Sequence, residues 1–335
     1  MRYFKHIPFN CLFAMLIALG LAFKAYSAQL PKPYFNQALK LYYFSVDGQL
    51  DSTTKFYDYA EPFKEGIALV RYQRKWQFLD SQLNVFCDVY FSEATGFNHG
   101  FATVYLNNGQ CQVVNKHKQF LFKDPVDQVS TMQNGYLAFS LGGKWGLVND
   151  TGLVVIAPSY ERISDVYQGA FWAKQSGRWT LMSLQGQVMM PQTFDVISPM
   201  QGGEILASNA TMVYRIQTAT GKILQEWTIP VVTQQSVCKA LYIMKDLAII
   251  QLVSGEFIAY QQGKLLWQKQ ASQLKTNGVD QIAIKENGWF KLYDMHLQPL
   301  SEANYEDLDF YPDHCLKIYQ GPYYYFKTPQ ESLIR

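Results

Sequence analysis

The chain reads as all-β: tandem antiparallel units of roughly 34 residues that form either a propeller-like ring or an open β-solenoid. Three observations predict this. An apolar-x-x-Gly phrase recurs at Phe63–Gly66, Phe97–Gly100, Met132–Gly135, Val166–Gly169 and Met200–Gly203, with its glycines 34, 35, 34 and 34 residues apart. A second landmark follows each of the first four glycines after ten or eleven residues: Trp76, Cys111, Trp145 and Trp179. Between the landmarks run short segments rich in Val, Ile, Leu and aromatics, too short between breakers to be helices.

The third unit shows the plan. Tyr136–Leu141 is a first strand, Gly142-Gly143 a hairpin turn, Trp145–Asn149 a second strand, and Asp150-Thr151-Gly152 a further turn. Leu153–Ile156 is a third strand, ended by Ala157-Pro158. Gly-Gly and Asp-x-Gly supply the positive φ angles of tight turns. A tail phrase repeats as Pro158–Ile163 and Pro191–Val196, and a related one, Phe56–Pro62, leads into Phe63. The fifth unit is blurred near Val213. A sixth spans Leu247–Ile250, Phe257 and Gln262–Trp267; a seventh spans Ile282–Ile284, Trp289, Asp294, Leu300 and Tyr305–Leu308. A longer insertion sits around Glu226–Leu241.

Lys144-Trp145-Gly146, followed by Asp150-Thr151-Gly152 and Val154–Tyr160, resembles the WG (KWG) repeat, a bacterial β-rich repeat. The similarity runs from about Phe63 to Pro199 and decays afterwards. The resemblance implies an all-β binding or structural protein and assigns no catalytic residue.

The ends predict complementary deficits. Leu41–Phe44 and Asp47-Gly48 read as a second strand and its turn, without a first strand before them. Cys315–Tyr319 and Tyr323–Phe326 read as a first and second strand, after which the chain stops. A ring would join these ends in one sheet and remove exposed edges.

Met1–Ser27 has the form of a secretory signal, with Arg2 and Lys5 before a 13-residue apolar run, Cys11–Phe23, and Ala25-Tyr26-Ser27 as the cleavage site. A retained anchor is the alternative, but the run is short for a bilayer span. Periplasmic or secreted location is therefore expected, with a single repeat domain over residues 28–335: clear repeats at 63–199 and degenerate ones at 200–327. Without the leader's Arg2, Lys5 and Lys24, the 29 basic residues become 26 against 27 acidic ones. No long run of like charge marks a nucleic-acid partner.

Four cysteines remain, Cys87, Cys111, Cys238 and Cys315, and allow three pairings. Cys87–Cys111 in neighbouring units and Cys238–Cys315 are the expected disulfides, with buried thiols as the alternative. No C-x-x-C occurs. His99, His117, His296 and His314 lack metal-ligand spacing. Glu302, Glu306, Asp307, Asp309 and Asp313 lack the order of a calcium loop and read as a solvated connection. Ala138–Gly142 imitates a nucleophile elbow around Ser140, but a hairpin follows where that motif needs a helix. No cofactor, metal or catalytic site is assigned.

Trp76, Trp145, Trp179 and Trp289 fall in the repeated slot and are expected in the core. Trp172, Trp227 and Trp267 fall outside it and are the candidate ligand-face aromatics. The strands are shorter than an outer-membrane barrel requires. The favoured reading is an exported, non-catalytic protein that binds another envelope component through its loop face, specialised after Met200. A cell-wall or surface-glycan binder using the off-slot aromatics is the alternative, and an unrecognised enzyme a further one.

Overall fold

The computed structural model describes residues 30–50, 53–209, 212–229, 238–310, 316–320 and 323–327; the expected leader and His314 lie outside them. Among the described residues there is no helix, and thirty short strands form nine antiparallel sheets. The chain groups into two compact units, Met1–Val126 and Asp127–Arg335.

The first unit holds three sheets: Lys32–Asn36, Leu41–Ser45 and Phe56–Tyr57; Tyr59–Ala60, Ile67–Tyr72 and Lys75–Asp80; Glu93–Ala94, Phe101–Tyr105 and Cys111–Asn115. The second unit holds six. The fourth sheet is Gln128–Val129, Tyr136–Leu141, Lys144–Asn149 and Val154–Tyr160; the fifth is Arg162–Ile163, Ala170–Gln175 and Arg178–Ser183. The sixth is Val196–Ile197, Glu204–Asn209, Met212–Gln217 and Lys222–Thr228; the seventh is Cys238–Met244, Leu247–Leu252, Glu256–Gln261 and Lys264–Gln270. The eighth is Gln273–Thr276, Gln281–Glu286 and Trp289–Asp294; the ninth is Asp307–Phe310, Leu316–Gln320 and Tyr323–Lys327.

The repeated glycines hold one geometry. Gly66, Gly100, Gly135, Gly169 and Gly203 all have φ between 80° and 85°, and each precedes a strand. The residue before each is also left-handed: Glu65, His99, Asn134, Gln168 and Gly202. Two successive positive φ angles make a type I′ turn, which matches the twist of the strands it joins. In the second sheet, Lys64 N–H donates to the Ile67 carbonyl at 3.0 Å, and Ile67 N–H donates back at 3.1 Å.

The tryptophan slot marks a backbone clamp. Trp76 and Phe91 exchange two N–H···O bonds, as do Cys111 and Val126, Trp179 and Phe194, and Phe290 and Tyr305. Trp145 pairs with Tyr160 in the fourth sheet, so the clamp always spans the same separation along the chain. Four residues past the slot, a side chain caps the next turn: the Asp80, Asn115, Asn149 and Asp294 oxygens each accept two backbone N–H groups. Both tests place the seventh slot at Phe290 and not at Trp289. Trp289 stands one residue early, where the other units carry Lys75, Lys144 and Arg178, and is 46% exposed for that reason.

The glycine of the Trp-Gly pair has a specific cause. A Cβ on Gly146 would collide with the Ile156 carbonyl and lie 2.8 Å from Pro158 N, because the fourth strand of that sheet passes directly over it. The third sheet has Gln112 there, and its side-chain amide donates to the Phe122 carbonyl at 2.9 Å, bridging a more distant tail.

Apolar clusters lie between successive sheets. Phe44 and Tyr57 of the first sheet meet Ala68, Val70 and Leu79 of the second. Trp172 and Leu181 of the fifth meet Ile205 and Ile216 of the sixth. Met244 and Ile249 of the seventh meet Ile282 and Ile284 of the eighth. Full burial of such side chains contributes about 1.5–3 kcal/mol each, and a lone three-stranded sheet has no second layer to supply it.

The terminal expectation is corrected. Lys32–Asn36 pairs along its whole length with Leu41–Ser45, so the N-terminal sheet has a first strand of its own. Leu316–Gln320 pairs with Asp307–Phe310 and Tyr323–Lys327, completing a separate sheet. Pro31 and Pro33 flank or interrupt the first strand's sequence and obscure it. Proline is compatible with an edge strand, the place Lys32–Asn36 takes.

Candidate functional site

In the second unit the eighth sheet departs from the repeat at its turn end, and a cavity opens there. The sixth and seventh sheets close this end with two-residue turns, Gln201–Glu204 and Met244–Leu247. In the eighth sheet, Thr276 pairs with Ile282 across a longer loop. Asn277 organises that loop: its Oδ1 accepts the N–H groups of Val279, Asp280 and Gln281 at 2.9–3.0 Å, and its Nδ2 donates to Asp280. Thr276 Oγ1 accepts Gly278 N–H at 2.9 Å.

The cavity measures about 650 Å³. Pro199 and Gln201 come from the sixth sheet's turn, Tyr242 and Ile243 from the seventh sheet's first strand, Leu274–Gly278 from the eighth sheet, and Asp309 with Phe310 from the ninth. Four successive sheets thus contribute to one concavity. Gln201 reaches Gly278 closely enough that a Cβ there would strike its amide, so the sixth and eighth sheets meet at this end past the seventh. Gly278 has φ 74°, a second reason for glycine.

One wall carries the charge. Lys275 Nζ donates to Asp307 Oδ1, Asp309 Oδ1 and the Leu308 carbonyl, each at 2.8 Å. Its ammonium also lies 5.2 Å from the Phe290 ring centroid. Burial works against the Lys275 charge, but the hydrogen bonds to Asp307 and Asp309 outweigh it and raise the pKa above the usual lysine value. Asp309 is held below the usual carboxylate range, first by its hydrogen bond from Lys275, with Tyr319 O–H donating to its other oxygen at 3.0 Å. The seventh sheet's share of the lining is more apolar, with Tyr242 partly buried and its hydroxyl pushed up by that burial.

Part of the acidic stretch is therefore structural. Asp307 and Asp309 sit on a strand and pair with Lys275, where a solvated connection is expected from sequence; Asp313 lies outside the described residues. Among the described residues no group of three His, Cys, Asp or Glu is placed to hold a metal.

The candidate aromatics are corrected as a class. Trp172 is wholly buried, its Nε1–H donating to Thr218 Oγ1 at 3.3 Å. Trp227 is buried between the sixth and seventh sheets, opposite Val213, where it takes the clamp position of the blurred fifth unit. Trp267 is buried too, its Nε1–H donating to the Met295 carbonyl at 3.0 Å. The slot tryptophans Trp76, Trp145 and Trp179 are only half-buried. Slot and off-slot roles are thus reversed, because the slot lies at the strand's start while Trp172 lies mid-strand and faces the next sheet.

The expected Cys87–Cys111 disulfide is not formed. Cys87 packs on the cluster containing Val114, whereas Cys111 lies three residues before Val114 and so projects from the other face of that strand. Cys111 Sγ points to the Val126 carbonyl at 3.6 Å. Cys238 is buried without a disulfide, and Cys315 lies outside the described residues. Ser140 is buried at a strand end, paired opposite Trp145, with a hairpin following. His99 sits in a type I′ turn, and His117 and His296 in capped turns.

Sequence reasoning misses the cavity, although it leaves a signal. The apolar-x-x-Gly phrase fails between Leu274 and Gln281, and Asn277-Gly278 stands in its place.

A family model described as WG containing repeat matches residues 57–76 and 145–179, the segments that carry the Trp76, Trp145 and Trp179 slots. No curated protein sequence matches the chain. Among solved structures, BamB from Moraxella catarrhalis is similar at 13% identity and TM-score 0.47, over 78% of this chain and 90% of that one. Kluyveromyces lactis Hsv2 is similar at 9% identity and TM-score 0.41, over 76% of this chain and 95% of that one. Likeness at this level carries no argument about function. Among the described residues no helix is long and apolar enough to cross a membrane.

Proposed function

We propose that this is an exported, non-catalytic β-repeat protein that binds another cell-envelope component through the turn end of its second unit. The observation that carries the reading is the cavity where the eighth sheet departs from the repeat. The regular units use two residues for this turn; the eighth uses a longer, internally bonded loop and leaves a concavity beside it. Concave sites with a few placed polar groups on an apolar wall are where ligands bind. The form of Met1–Ser27 supports the export part of the reading.

The test places a photo-crosslinking residue at Val279, exposed within the loop, and in a second protein at Lys144, exposed next to a hairpin turn remote from that loop in sequence. Expressed from the full chain in cells and followed by fractionation, the Val279 protein is expected in the envelope or medium, joined to a partner that Lys144 does not capture. Equal capture at both positions, or retention of the uncleaved chain in the cytoplasm, overturns the proposal.

A further inference from the structure

We infer that the eighth sheet carries a second binding site, at the far end of its Gln281–Glu286 strand from the loop, and that this site takes a guanidinium group presented by a protein partner. A pocket of about 230 Å³ opens there, with Trp289, Asn304, Glu306 and Ile318 in its lining. Equivalent positions around the backbone clamp of other sheets indicate what such a space takes. In the fifth sheet the clamp joins Trp179 to Phe194, and the residue before it, Arg178, turns back onto the tail. Its guanidinium donates to Thr193 Oγ1 and to the Thr193 carbonyl, each at 2.8 Å, and to Asp195. In the second sheet the clamp joins Trp76 to Phe91, and Lys75 holds its ammonium 5.4 Å from the Tyr90 ring centroid. Twice, then, a cation fills the space beside the clamp, on an acid in one sheet and on an aromatic ring in the other.

The eighth sheet keeps both kinds of partner and lacks the cation. Its clamp joins Phe290 to Tyr305, so Trp289 stands where Arg178 and Lys75 do, and Asn304 and Glu306 stand where Thr193 and Asp195 do. Among the described residues that line the pocket none is cationic. Neighbouring lysines do not take the place. Lys285 lies 5.0 Å from the Phe290 ring centroid, but Lys174 lies over Trp179 in the same way, and Arg178 still engages Asp195 beside it. Lys317 is over the Tyr319 ring and opposite Asp309 in register, and it leaves its strand on the face opposite to Ile318, which lines the pocket. A guanidinium can lie flat on the exposed Trp289 indole while its edge donates to a carboxylate. Glu306 is exposed, and a carboxylate offers about four lone-pair positions, so it can accept these donors alongside other bonds. Asn304 brings two carbonyl oxygens to the place where Thr193 supplies two acceptors.

The test titrates blocked Gly-Arg-Gly and Gly-citrulline-Gly tripeptides at low salt against the full chain, while the Trp289 indole and Asn304 amide resonances are followed. Citrulline has the shape of arginine without its charge. The arginine peptide is expected to give a saturable shift at both resonances, weakened at high salt, and the citrulline peptide to bind about tenfold less tightly or not at all, for want of a charge-assisted pair. Glu306→Gln should weaken arginine-peptide binding by a similar factor of about ten. Trp289→Arg should abolish the Asn304 shift, because the chain then supplies its own guanidinium as the fifth sheet does, and thermal unfolding should show no loss of stability. Equal binding of the two peptides, undiminished arginine-peptide binding in a folded Glu306→Gln or Trp289→Arg protein, or the absence of any saturable arginine shift overturns the inference. The comparison of peptides on the unaltered chain decides even where a variant fails to fold. Capture at Val279 does not depend on this pocket, so the two sites fail separately.

Discussion

Five glycine turns and the eighth sheet's loop share one place in the repeat and obey different constraints. At Gly66, Gly100, Gly135, Gly169 and Gly203 the chain reverses in two left-handed residues. Neighbouring turns lean on one another: Asn134 Nδ2 donates to the Val166 carbonyl, and Tyr167 packs so closely on Gly203 that a Cβ would strike its ring. At 277–280 the reversal is wider, bonded within itself through Asn277, and bordered by open space. The difference teaches that regularity here is a packing condition. Where a turn must stack on the next, its sequence is fixed; where the stack is interrupted, the same position becomes a wall of a cavity.

The largest expected effect separates core from repeat landmark. Trp172→Ala removes a wholly buried indole and its bond to Thr218, and should cost about 3–5 kcal/mol in chemical denaturation. Trp145→Ala removes a half-buried ring and should cost clearly less, about 1–2 kcal/mol by its smaller buried area. A larger loss at Trp145 would restore the slot as the core.

Next comes Gly146→Ala. The new methyl must displace the Ile156–Pro158 backbone, and such overpacking costs about 1–3 kcal/mol. Gln112→Ala, at the equivalent place, loses only the side-chain bridge to Phe122 and should cost about 1 kcal/mol. Equal costs would mean that the tail lies as close to Gln112 as to Gly146.

Much of this architecture is legible in the sequence, and the rest is hidden for identifiable reasons. The period, the turn glycines and the strand order follow from residues whose backbone conformation restricts their type, such as Gly135 and Gly142-Gly143. Burial of the tryptophans does not follow, because a repeated position reports a common backbone role, here the clamp at Trp76 and Trp179, and not depth. The Cys87–Cys111 pairing rests on nearness along the chain, whereas strand alternation sends Cys111 to the opposite face. The cavity depends on Gln201, Tyr242, Lys275 and Asp309 converging from four sheets, and no local pattern encodes that convergence.

Replacing Asn277–Gln281 with Asn-Gly would keep the Thr276–Ile282 pair and turn the loop into a regular two-residue turn. Shortening a loop by three residues changes closure entropy by less than about 1 kcal/mol, so the unfolding free energy should barely move. A large loss of stability would mean that the hydrogen bonds centred on Asn277 hold the hairpin more firmly than a two-residue turn does.

The smallest effect is in the pH dependence of the wall that borders the cavity. Asp309 has a folded pKa below its unfolded value of about 3.9, so its stabilisation is complete above that value and is lost as pH falls through the depressed folded pKa. Lys275 has a folded pKa raised above about 10.4, so its contribution is complete below that value and is lost only as pH rises through the raised one. The pair should therefore be indifferent to pH across the neutral range and weaken at both extremes. Asp307 and Asp309 are nearly half exposed, so solvent screening limits the pairing to about 1 kcal/mol or less. In Asp309→Asn the acid limb of the unfolding free energy should flatten relative to wild type. The alkaline limb should survive in part, because Asp307 still engages Lys275. An unchanged acid limb in that variant would mean that the Lys275–Asp309 contact is made equally in the unfolded chain, or not made in solution.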